Sequence, residues 1–384
     1  MAANVASMIQ QFNMDNLRIL LDLGFRVDVA CNFEQGSTIS LDAIQALRSR
    51  LDGMGIRCFQ VDFSRNPIRF KAHVSSYCQM KDLLTQGDYA FIHTHGPISS
   101  AIVRLAASRK KVPVVYTAHG FHFYQGGPLS SWLLYYPVER LLARHTDTLI
   151  TINGKDYYLA ERLLRPGYLV RVFGVGIDTA KFHLPGFDKA AYRKTLGIAE
   201  GDFVLLSVGE LSDRKNHRVI LEAMRILNRP NLNYVIVGMG ANEGMLKELA
   251  VQSGLQDRVF LLGYRQDIPE LCNMSDAFAF PSIREGLGLA CLEAMAAGLP
   301  AIASRSDGPV EYLADGQMGY LCNHDDAAAF AKAIATLMDT PGLAASLGQN
   351  AREAASRYDI SSTNEIMRSV YSRFLSPDSR MKQA

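Results

Sequence analysis

The order of apolar and polar positions predicts two successive α/β regions. In the first region, short apolar runs predict strands and amphipathic stretches predict the helices between them. The predicted strands are 25–32, 89–95, 112–120, 148–153 and 169–177, and the predicted helices are 39–53, 98–108, 133–144 and 155–164. Strands that alternate with helices are typical of a parallel sheet covered by helices.

The same alternation restarts at residue 202. Apolar runs at 202–210, 233–240, 258–264, 277–282, 300–305 and 319–322 predict a second sheet, and about 345–378 is predicted to be helical. The weakly patterned segment 174–188, rich in Gly and Pro, marks the join. We therefore expect domains at 1–175 and 176–360, with a C-terminal helix of about 360–384 packing back on the first.

The N-terminus departs from this rhythm. A strand should precede the helical pattern of VASMIQQFN, but only the four residues MAAN stand before it. Either this strand is very short or the chain begins late.

Composition bounds the class of protein. The chain has 384 residues, of which 48% are hydrophobic, so large cores are expected. No apolar run reaches the ~18 residues that span a bilayer, and the N-terminus lacks the basic and apolar regions of a secretory signal. Six cysteines without a Cys-x-x-Cys pair indicate a reduced, cytoplasmic protein and argue against a zinc site.

The net charge of +2 is unevenly distributed. Residues 1–175 hold 19 Lys and Arg against 13 Asp and Glu, and the remainder holds 21 against 25. The basic first half predicts an anionic partner such as a phospholipid surface or a lipid phosphate, with ordinary surface variation as the alternative. Basic residues do not cluster densely enough to predict nucleic-acid binding.

An aromatic segment lies in this basic half. Trp132, Tyr135 and Tyr136 are expected to precede a helix that carries Arg140 and Arg144. Aromatic side chains beside basic ones are typical of a membrane interface. The alternative is a helix whose aromatic side chains pack on the sheet.

Two glycine-containing turns follow predicted strands of the second region. In SVGELSDRKNH a strand ends at Val208, Gly209 turns the chain, and Arg214 and Lys215 precede a helix. A guanidinium fork and an ammonium charge suit a diphosphate, although a solvated charged turn is the alternative. The second turn, VIVGMGANEGML, has Glu243 where a dinucleotide fingerprint requires its third glycine, so we do not predict a nicotinamide site.

Two carboxylates stand in the nearly uncharged segment PSIREGLGLACLEAMAAGLP. Glu285 lies in a loop before a helix predicted from about Leu289 to Ala297, and Glu293 lies in its second turn. Loop amides and a helix N-terminus attract phosphate, and a carboxylate suits a pair of sugar hydroxyls. The pattern predicts a sugar-nucleotide site, with ordinary helical acids as the alternative.

Histidines follow two strands of the first region. His93 and His95 alternate at one strand end, and His119 and His122 come after the next strand. Because ligands bind beyond the carboxyl ends of such strands, His119 is the better site candidate. No third ligand accompanies the histidine pair and no Asp-x-Asp ends a strand, so no metal is predicted.

These motifs together resemble the retaining glycosyltransferases of family four, which have the GT-B fold. The resemblance rests on the Glu-x7-Glu segment with EAMAAGLPAIAS, on SVGELSDRKNH as a phosphate loop, and on GYRQDIPELCNMSDAFAFPS and DGPVEYLADGQMGYLC. YTAHGFHFYQGGP resembles the acceptor-side loop of a bacterial exopolysaccharide and capsule subgroup. The likeness covers nearly the whole chain.

The resemblance implies an α/β GT-B fold of two doubly wound, Rossmann-like domains facing across a cleft, the first on the acceptor side and the second binding a nucleotide sugar. It implies catalytic roles for Glu285, His119, Arg214 and Lys215, and donor binding by Gly209, Tyr264, Arg265, Gly286, Leu287, Gly288, Leu289 and Glu293. Within these sets, Glu285 would contact the sugar, Glu293 the ribose, Arg214 and Lys215 the diphosphate, and Tyr264 with Arg265 the base. Glu210 stands where many relatives have Arg, which leaves the cationic role to Arg214 and Lys215.

The expected activity is transfer of a hexose or N-acetylhexosamine from a nucleotide-diphosphate sugar, with UDP as the nucleotide, to a lipid-linked or saccharide acceptor of surface polysaccharide synthesis. Retention, independence of metals and cofactors, and a cytoplasmic location on the inner face of the membrane complete this expectation. A sugar-nucleotide 2-epimerase of the same fold and a non-catalytic assembly partner are the alternatives.

Overall fold

A computed structural model of the chain describes residues 1–37, 39–124 and 126–375. The chain forms two compact units, Met1–Val175 with the chain from Ser361 onward, and Gly176–Ile360. The strands are β1 Ala2–Val5, β2 Asp28–Asn32, β3 Arg57–Gln60, β4 Ile92–His95, β5 Val114–Ala118, β6 Thr148–Thr151, β7 Tyr168–Arg171, β8 Phe203–Val208, β9 Leu232–Val237, β10 Val259–Leu261, β11 Ala277–Phe280, β12 Ala301–Ser304 and β13 Gly319–Cys322.

Helices connect these strands in both units. They are α1 Ala6–Phe12, α2 Met14–Asp22, α3 Leu41–Gly53, α4 Phe70–Gln86, α5 Pro97–Lys110, α6 Leu129–Leu142, α7 Gly154–Leu163, α8 Thr179–Phe182, α9 Lys189–Thr195, α10 His217–Leu227, α11 Glu243–Gln252, α12 Ile268–Met274, α13 Leu289–Ala296, α14 Pro309–Tyr312, α15 Ala327–Asp339, α16 Leu343–Ser356 and α17 Ile360–Ser372, with a 3-10 turn at Ala143–His145.

The first unit contains a parallel sheet in the order β3-β2-β1-β4-β5-β6-β7. The chain moves from β1 to β3 in one direction and from β4 to β7 in the other. Because crossovers between parallel strands are right-handed, α4, α5, α6 and α7 lie on one face of the sheet. Met367, Val370 and Tyr371 of α17 join the buried core of this unit.

The question of the first strand is answered by the sheet. β1 is four residues long, fully buried, and pairs with both β2 and β4, with Ala2 opposite Ala30 and Thr94. The first strand is therefore present, and it is very short. The sequence pattern had predicted neither β3 nor α4. For β3 the reason is that its sequence, RCFQ, is partly exposed and too polar to show an apolar run.

The second unit contains a parallel sheet in the order β10-β9-β8-β11-β12-β13. Its central strands are almost continuously apolar, as expected of strands covered by helices on both faces. The two parallel α/β layers predicted from the sequence are confirmed.

Two sequence predictions of helices need correction. The aromatic segment does not precede α6 but forms its first half, and Arg144 lies in the 3-10 turn beyond it. The stretch 345–378 was predicted as one helical segment, and its described part contains α16 and α17, separated at Arg357–Asp359. The weakly patterned join contains the short helix α8, whose N-terminus is capped by Asp178.

Within the described ranges, none of the helices has the length and hydropathy needed to cross a membrane.

Candidate active site

The second sheet has its switch point between β8 and β11. From β8 the chain runs outward through β9 and β10, then returns to the other side of β8 as β11. The loops after β8 and β11 therefore diverge at one edge of the sheet and leave a crevice there. Both loops carry residues that the sequence had singled out.

The loop after β8 is shaped by glycines. Gly209 has φ +154°, and a Cβ added there would lie 3.1 Å from Cε of Lys215. A Cβ on Gly238, which directly follows the neighbouring strand β9, would lie 1.9 Å from the carbonyl oxygen of Gly209. The absence of side chains at these two positions lets the backbone come close to the strand ends and gives Lys215 its place.

Two further contacts join this loop to the one after β11. The backbone N–H of Ile283 donates to the carbonyl oxygen of Arg214 at 2.9 Å. The side-chain amide of Asn216 donates to the carbonyl oxygen of Pro281 at 3.3 Å, and also to that of His324, which follows β13, at 2.7 Å. One backbone and one side-chain hydrogen bond thus hold the two loops beside each other.

Glu285, Arg214 and Lys215 form one ion cluster. Nη1 of Arg214 lies 2.7 Å, and Nζ of Lys215 2.8 Å, from the same oxygen, Oε1 of Glu285. The side chains of Glu285 and Lys215 are only 11% and 13% exposed, whereas that of Arg214 is 47% exposed. Nζ of Lys215 also lies 4.8 Å from the ring centre of Phe280.

The charges of the three groups leave an excess of one positive charge. A second carboxylate, that of Glu210, lies 3.9 Å from Arg214 but is 63% exposed, so solvent screens it. The cluster can bind an anion through its two cations and accept a hydrogen bond from a hydroxyl through its carboxylate. The structure thus brings together three of the four residues with predicted catalytic roles.

The loop Gly286–Gly288 leads into α13. Gly288 has φ +88°, and a Cβ there would lie 2.7 Å from the ring of Phe280. Leu287 is buried, and α13 begins at Leu289 as predicted, with Gly298 in the left-handed conformation after its end. The backbone N–H groups of this turn are the part of the loop that can reach a ligand, since the Leu287 side chain is in the core.

Glu293 occupies the second turn of α13. Burial raises the pKa of this carboxyl group, and the positive charge of Lys181 on α8 opposes the rise. Its negative charge also acts on the thiol of Cys272 on α12. Glu293 therefore has a setting different from that of Glu285, and its predicted contact with a ribose stays a prediction.

Tyr264 and Arg265 follow β10. Tyr264 is 72% exposed, whereas Arg265 is bound by two hydrogen bonds of 2.8 and 2.5 Å to Asp267. The Arg265 guanidinium holds the pKa of the Asp267 carboxyl well below its usual range. Tyr192 also donates to Asp267 at 2.5 Å. Sequence reasoning missed Asp267 and Tyr192, although Asp267 stands only two residues after Arg265.

His119 belongs to the first unit, where it lies beside the end of β4. Nε2 of His119 is 3.1 Å from Nδ1 of His95, and His93 bonds Thr117 at 2.8 Å and Tyr371 at 2.7 Å. Burial lowers the pKa of His119 to about 4, so its ring is neutral at pH 7. Across the described ranges, no group of three or more His, Cys, Asp or Glu side chains could hold a metal ion.

Asn4, which was not predicted as a site residue, lies beside the end of β4. It is the third residue of β1, and a Cβ on Gly96, which directly follows β4, would lie 2.6 Å from its side-chain nitrogen. β1 and β4 flank the switch point of the first sheet. Asn4 belongs to the short MAAN segment, but only the tertiary structure shows that it lies beside Gly96.

Comparison with known proteins gives consistent matches over both units. Residues 188–354 match the family described as glycosyl transferases group 1, and residues 9–176 match the glycosyl transferase 4-like domain. The Bacillus subtilis (strain 168) protein EpsD, whose name presents it as a candidate glycosyltransferase, is 38% identical over 84% of this chain and 87% of its own. The Escherichia coli UDP-Gal:alpha-D-GlcNAc-diphosphoundecaprenol alpha-1,3-galactosyltransferase is 30% identical over 86% of this chain and 84% of its own.

The fold is also found among solved structures. The crystal structure of Anabaena Alr3699/HepE in complex with UDP superimposes with a TM-score of 0.79 at 20% identity, and covers 97% of this chain and 99% of that one. The sequence prediction of a GT-B fold with two Rossmann-like domains is thereby confirmed.

Proposed function

Because this chain belongs to the group 1 glycosyltransferase family, we propose that it transfers a hexose or N-acetylhexosamine from a nucleotide-diphosphate sugar, with UDP as the nucleotide. The acceptor is a lipid-linked or saccharide intermediate of surface polysaccharide synthesis. Support comes from the Escherichia coli relative, named for UDP-Gal and a diphosphoundecaprenol-linked acceptor, and from the UDP complex of the Anabaena protein. The first unit is proposed as the acceptor side and the second as the donor side.

The ion cluster at the switch point carries this proposal. Departure of a nucleoside diphosphate builds negative charge on its phosphate oxygens. Arg214 and Lys215, held in place by Glu285 at 2.7 and 2.8 Å, place two fixed positive charges at this edge of the sheet. Fixed cations stabilise such a leaving group without reorganising during the reaction.

Glu285 has two tasks in this proposal. Before the donor binds, it neutralises part of the charge of Arg214 and Lys215. When the diphosphate takes over those cations, its carboxylate accepts hydrogen bonds from the hydroxyls of the transferred sugar. Glu293 binds the ribose, the Tyr264 ring lies at the base, and the amides of the 286–289 turn bind phosphate. His119, neutral at pH 7, contacts the transferred sugar.

The two cations supply the charge that a divalent metal supplies in other transferases. We therefore propose a reaction that needs neither metal nor further cofactor. Retention of anomeric configuration by front-face attack follows from the family resemblance and belongs to the same proposal. The proposal also includes a location in the cytoplasm, on the inner face of the membrane.

A thermal-shift and donor-hydrolysis panel tests the donor site. The protein is mixed with UDP-, GDP-, ADP- and dTDP-sugars, with and without EDTA. We expect UDP-sugars to raise the melting temperature, EDTA to change nothing, and Lys215→Ala to abolish the shift. Lys332→Ala, an exposed lysine on α15, is the matched control and should keep it.

Other outcomes would contradict specific parts of the proposal. No shift with any nucleotide would reject the transferase function, and loss of the shift in EDTA would reject metal independence. Conversion of the sugar nucleotide to its 2-epimer without an acceptor would identify an epimerase instead.

A further inference from the structure

Helix α6 is apolar on both of its sides. Its inner side carries Trp132, Tyr135, Tyr136 and Leu142, which pack against or belong to the core of the first unit. A surface helix ordinarily presents polar side chains on the opposite side. Here that side carries large apolar residues with exposures between 44% and 80%: Leu129, Leu133, Leu134, Val138 and Leu141.

Buried polar contacts hold α6 in this orientation. Glu139, on its inner side, forms an ion pair of 2.9 Å with Arg104 of α5, and both side chains are almost fully buried. Tyr116 of β5 donates to Glu139 at 3.3 Å, and Nε1 of Trp132 donates to the carbonyl oxygen of Tyr124 at 3.0 Å. Rotation of α6 to bury its outer leucines would break these contacts, so the outer apolar side is a fixed feature.

The same helical layer carries further exposed apolar side chains. They are Ile68, Phe70 and Val74 at the start of α4, Leu105 on α5 and Tyr158 on α7. Together with the outer side of α6 they make ten of the nineteen large apolar residues that are exposed within the described ranges. We call the outer surface of these four helices, with the segment 64–69 before α4, the α4–α7 face.

The basic excess of the first half lies in the chain segment that forms these four helices and the strands and loops between them. Residues 1–62 hold five Lys and Arg against seven Asp and Glu, whereas residues 63–165 hold thirteen against six. Arg104, Glu139 and Asp156 of the second range are buried. The exposed charged residues of this range are therefore twelve basic and four acidic ones. Arg109, Lys110 and Arg140 lie in the last turns of α5 and α6.

We propose that the α4–α7 face docks on an anionic phospholipid bilayer. Such a surface offers apolar chains for the leucines and phosphate charges for the lysines and arginines. A second copy of the chain would instead oppose two strongly basic faces, which repel each other. The inference deepens the proposed function, since a lipid-linked acceptor is presented at this surface, but binding to a bilayer requires no donor and no transfer.

Vesicle sedimentation tests this inference on the full chain. We expect the protein to bind vesicles of phosphatidylglycerol and phosphatidylcholine, at least tenfold more strongly than vesicles of phosphatidylcholine alone. Binding should weaken as salt rises, because screening reduces the attraction between surface charges. The donor-hydrolysis assay, run without vesicles, reports on the proposed function separately.

Paired substitutions locate the docking surface. Leu133→Gln with Leu141→Gln should weaken binding at least tenfold, and so should Lys110→Glu with Lys111→Glu. The matched control, Ile226→Gln with Val251→Gln, changes two residues of the second unit that are 53% and 63% exposed and should leave binding unchanged. All these side chains are exposed, so the melting temperatures should stay close to that of the unsubstituted protein.

Three results would overturn the inference. The first is equal binding to neutral and anionic vesicles, and the second is an equal loss of binding in the control pair. The third is a dimer in sedimentation velocity that becomes monomeric in the Leu133→Gln, Leu141→Gln variant without lipid, which would assign the face to another copy of the chain.

Discussion

At the residue scale, Glu285 is the most informative side chain. A single carboxylate oxygen accepts from both Arg214 and Lys215, which are adjacent in sequence and lie some 70 residues before it. A diphosphate that binds these two cations competes with Glu285 for them. In the proposed function, the carboxylate would therefore oppose binding of the free nucleotide diphosphate while it accepts hydrogen bonds from the transferred sugar.

This competition predicts opposite effects for Glu285→Gln. We expect UDP to bind several-fold more tightly, because a negative charge beside the two cations is removed, and sugar transfer to fall at least about 100-fold. Calorimetric titration with UDP and a transfer assay measure the two effects. A joint fall in UDP affinity and transfer would show that Glu285 supports diphosphate binding rather than opposing it.

Gly288 allows a second prediction at this scale. Its φ of +88° and the 2.7 Å approach of a Cβ to Phe280 leave no room for a side chain. Gly288→Ala should lower the free energy of unfolding by about 1–3 kcal/mol, measured in urea. Gly244→Ala, at a position in α11 with no atom within 4 Å of the added Cβ, should be neutral or slightly stabilising. Similar losses in both variants would contradict the steric argument.

At the element scale, the Arg104–Glu139 pair fixes α6 to α5. Cζ of Arg104 also lies 4.5 Å from the ring centre of Tyr116, so the pair connects two helices to the sheet beneath them. A buried pair adds little net stability relative to apolar residues, but removal of one partner leaves an uncompensated charge. Its main contribution is to specify which side of α6 faces outward.

Breaking this pair should therefore be costly. We expect Glu139→Ala to lower the free energy of unfolding by about 3–5 kcal/mol, measured by chemical denaturation. Asp15→Ala removes one partner of the exposed Arg18–Asp15 pair and should change it by less than about 1 kcal/mol. A loss in Glu139→Ala as small as that of the control would show that Arg104 finds another partner or solvent.

At the scale of the whole molecule, buried histidines make stability depend on pH. Burial lowers the pKa of His93 and His95 well below its usual value, and it lowers the pKa of His217 to about 4, with the charge of Lys215 adding to the effect. In the unfolded chain these groups titrate near 6.5. The unfolded state thus binds more protons between pH 6.5 and 4, so stability is full above 6.5 and is lost as the pH falls through this window.

His217 isolates one part of this dependence. At pH 5 this ring is protonated in the unfolded chain but stays neutral in the folded one. Its contribution should therefore make the free energy of unfolding about 2 kcal/mol lower at pH 5 than at pH 7.5. His217→Asn should reduce the pH dependence of urea unfolding by that amount, whereas His183→Asn, at an exposed position, should not change it. Equal pH dependence in His217→Asn and the unsubstituted protein would contradict the assignment.

The sequence alone determined the alternation of strands and helices, the two parallel sheets and the start of α13, because these depend on local periodicity and on glycines at strand ends. It also identified Glu285, Arg214 and Lys215 as residues of strand-end loops. Tertiary structure alone decided that one oxygen of Glu285 contacts both cations, that β1 lies inside its sheet between β2 and β4, and which side of α6 faces outward. These features depend on contacts between segments far apart in the chain, and the apolar pattern of α6 is nearly the same on both sides.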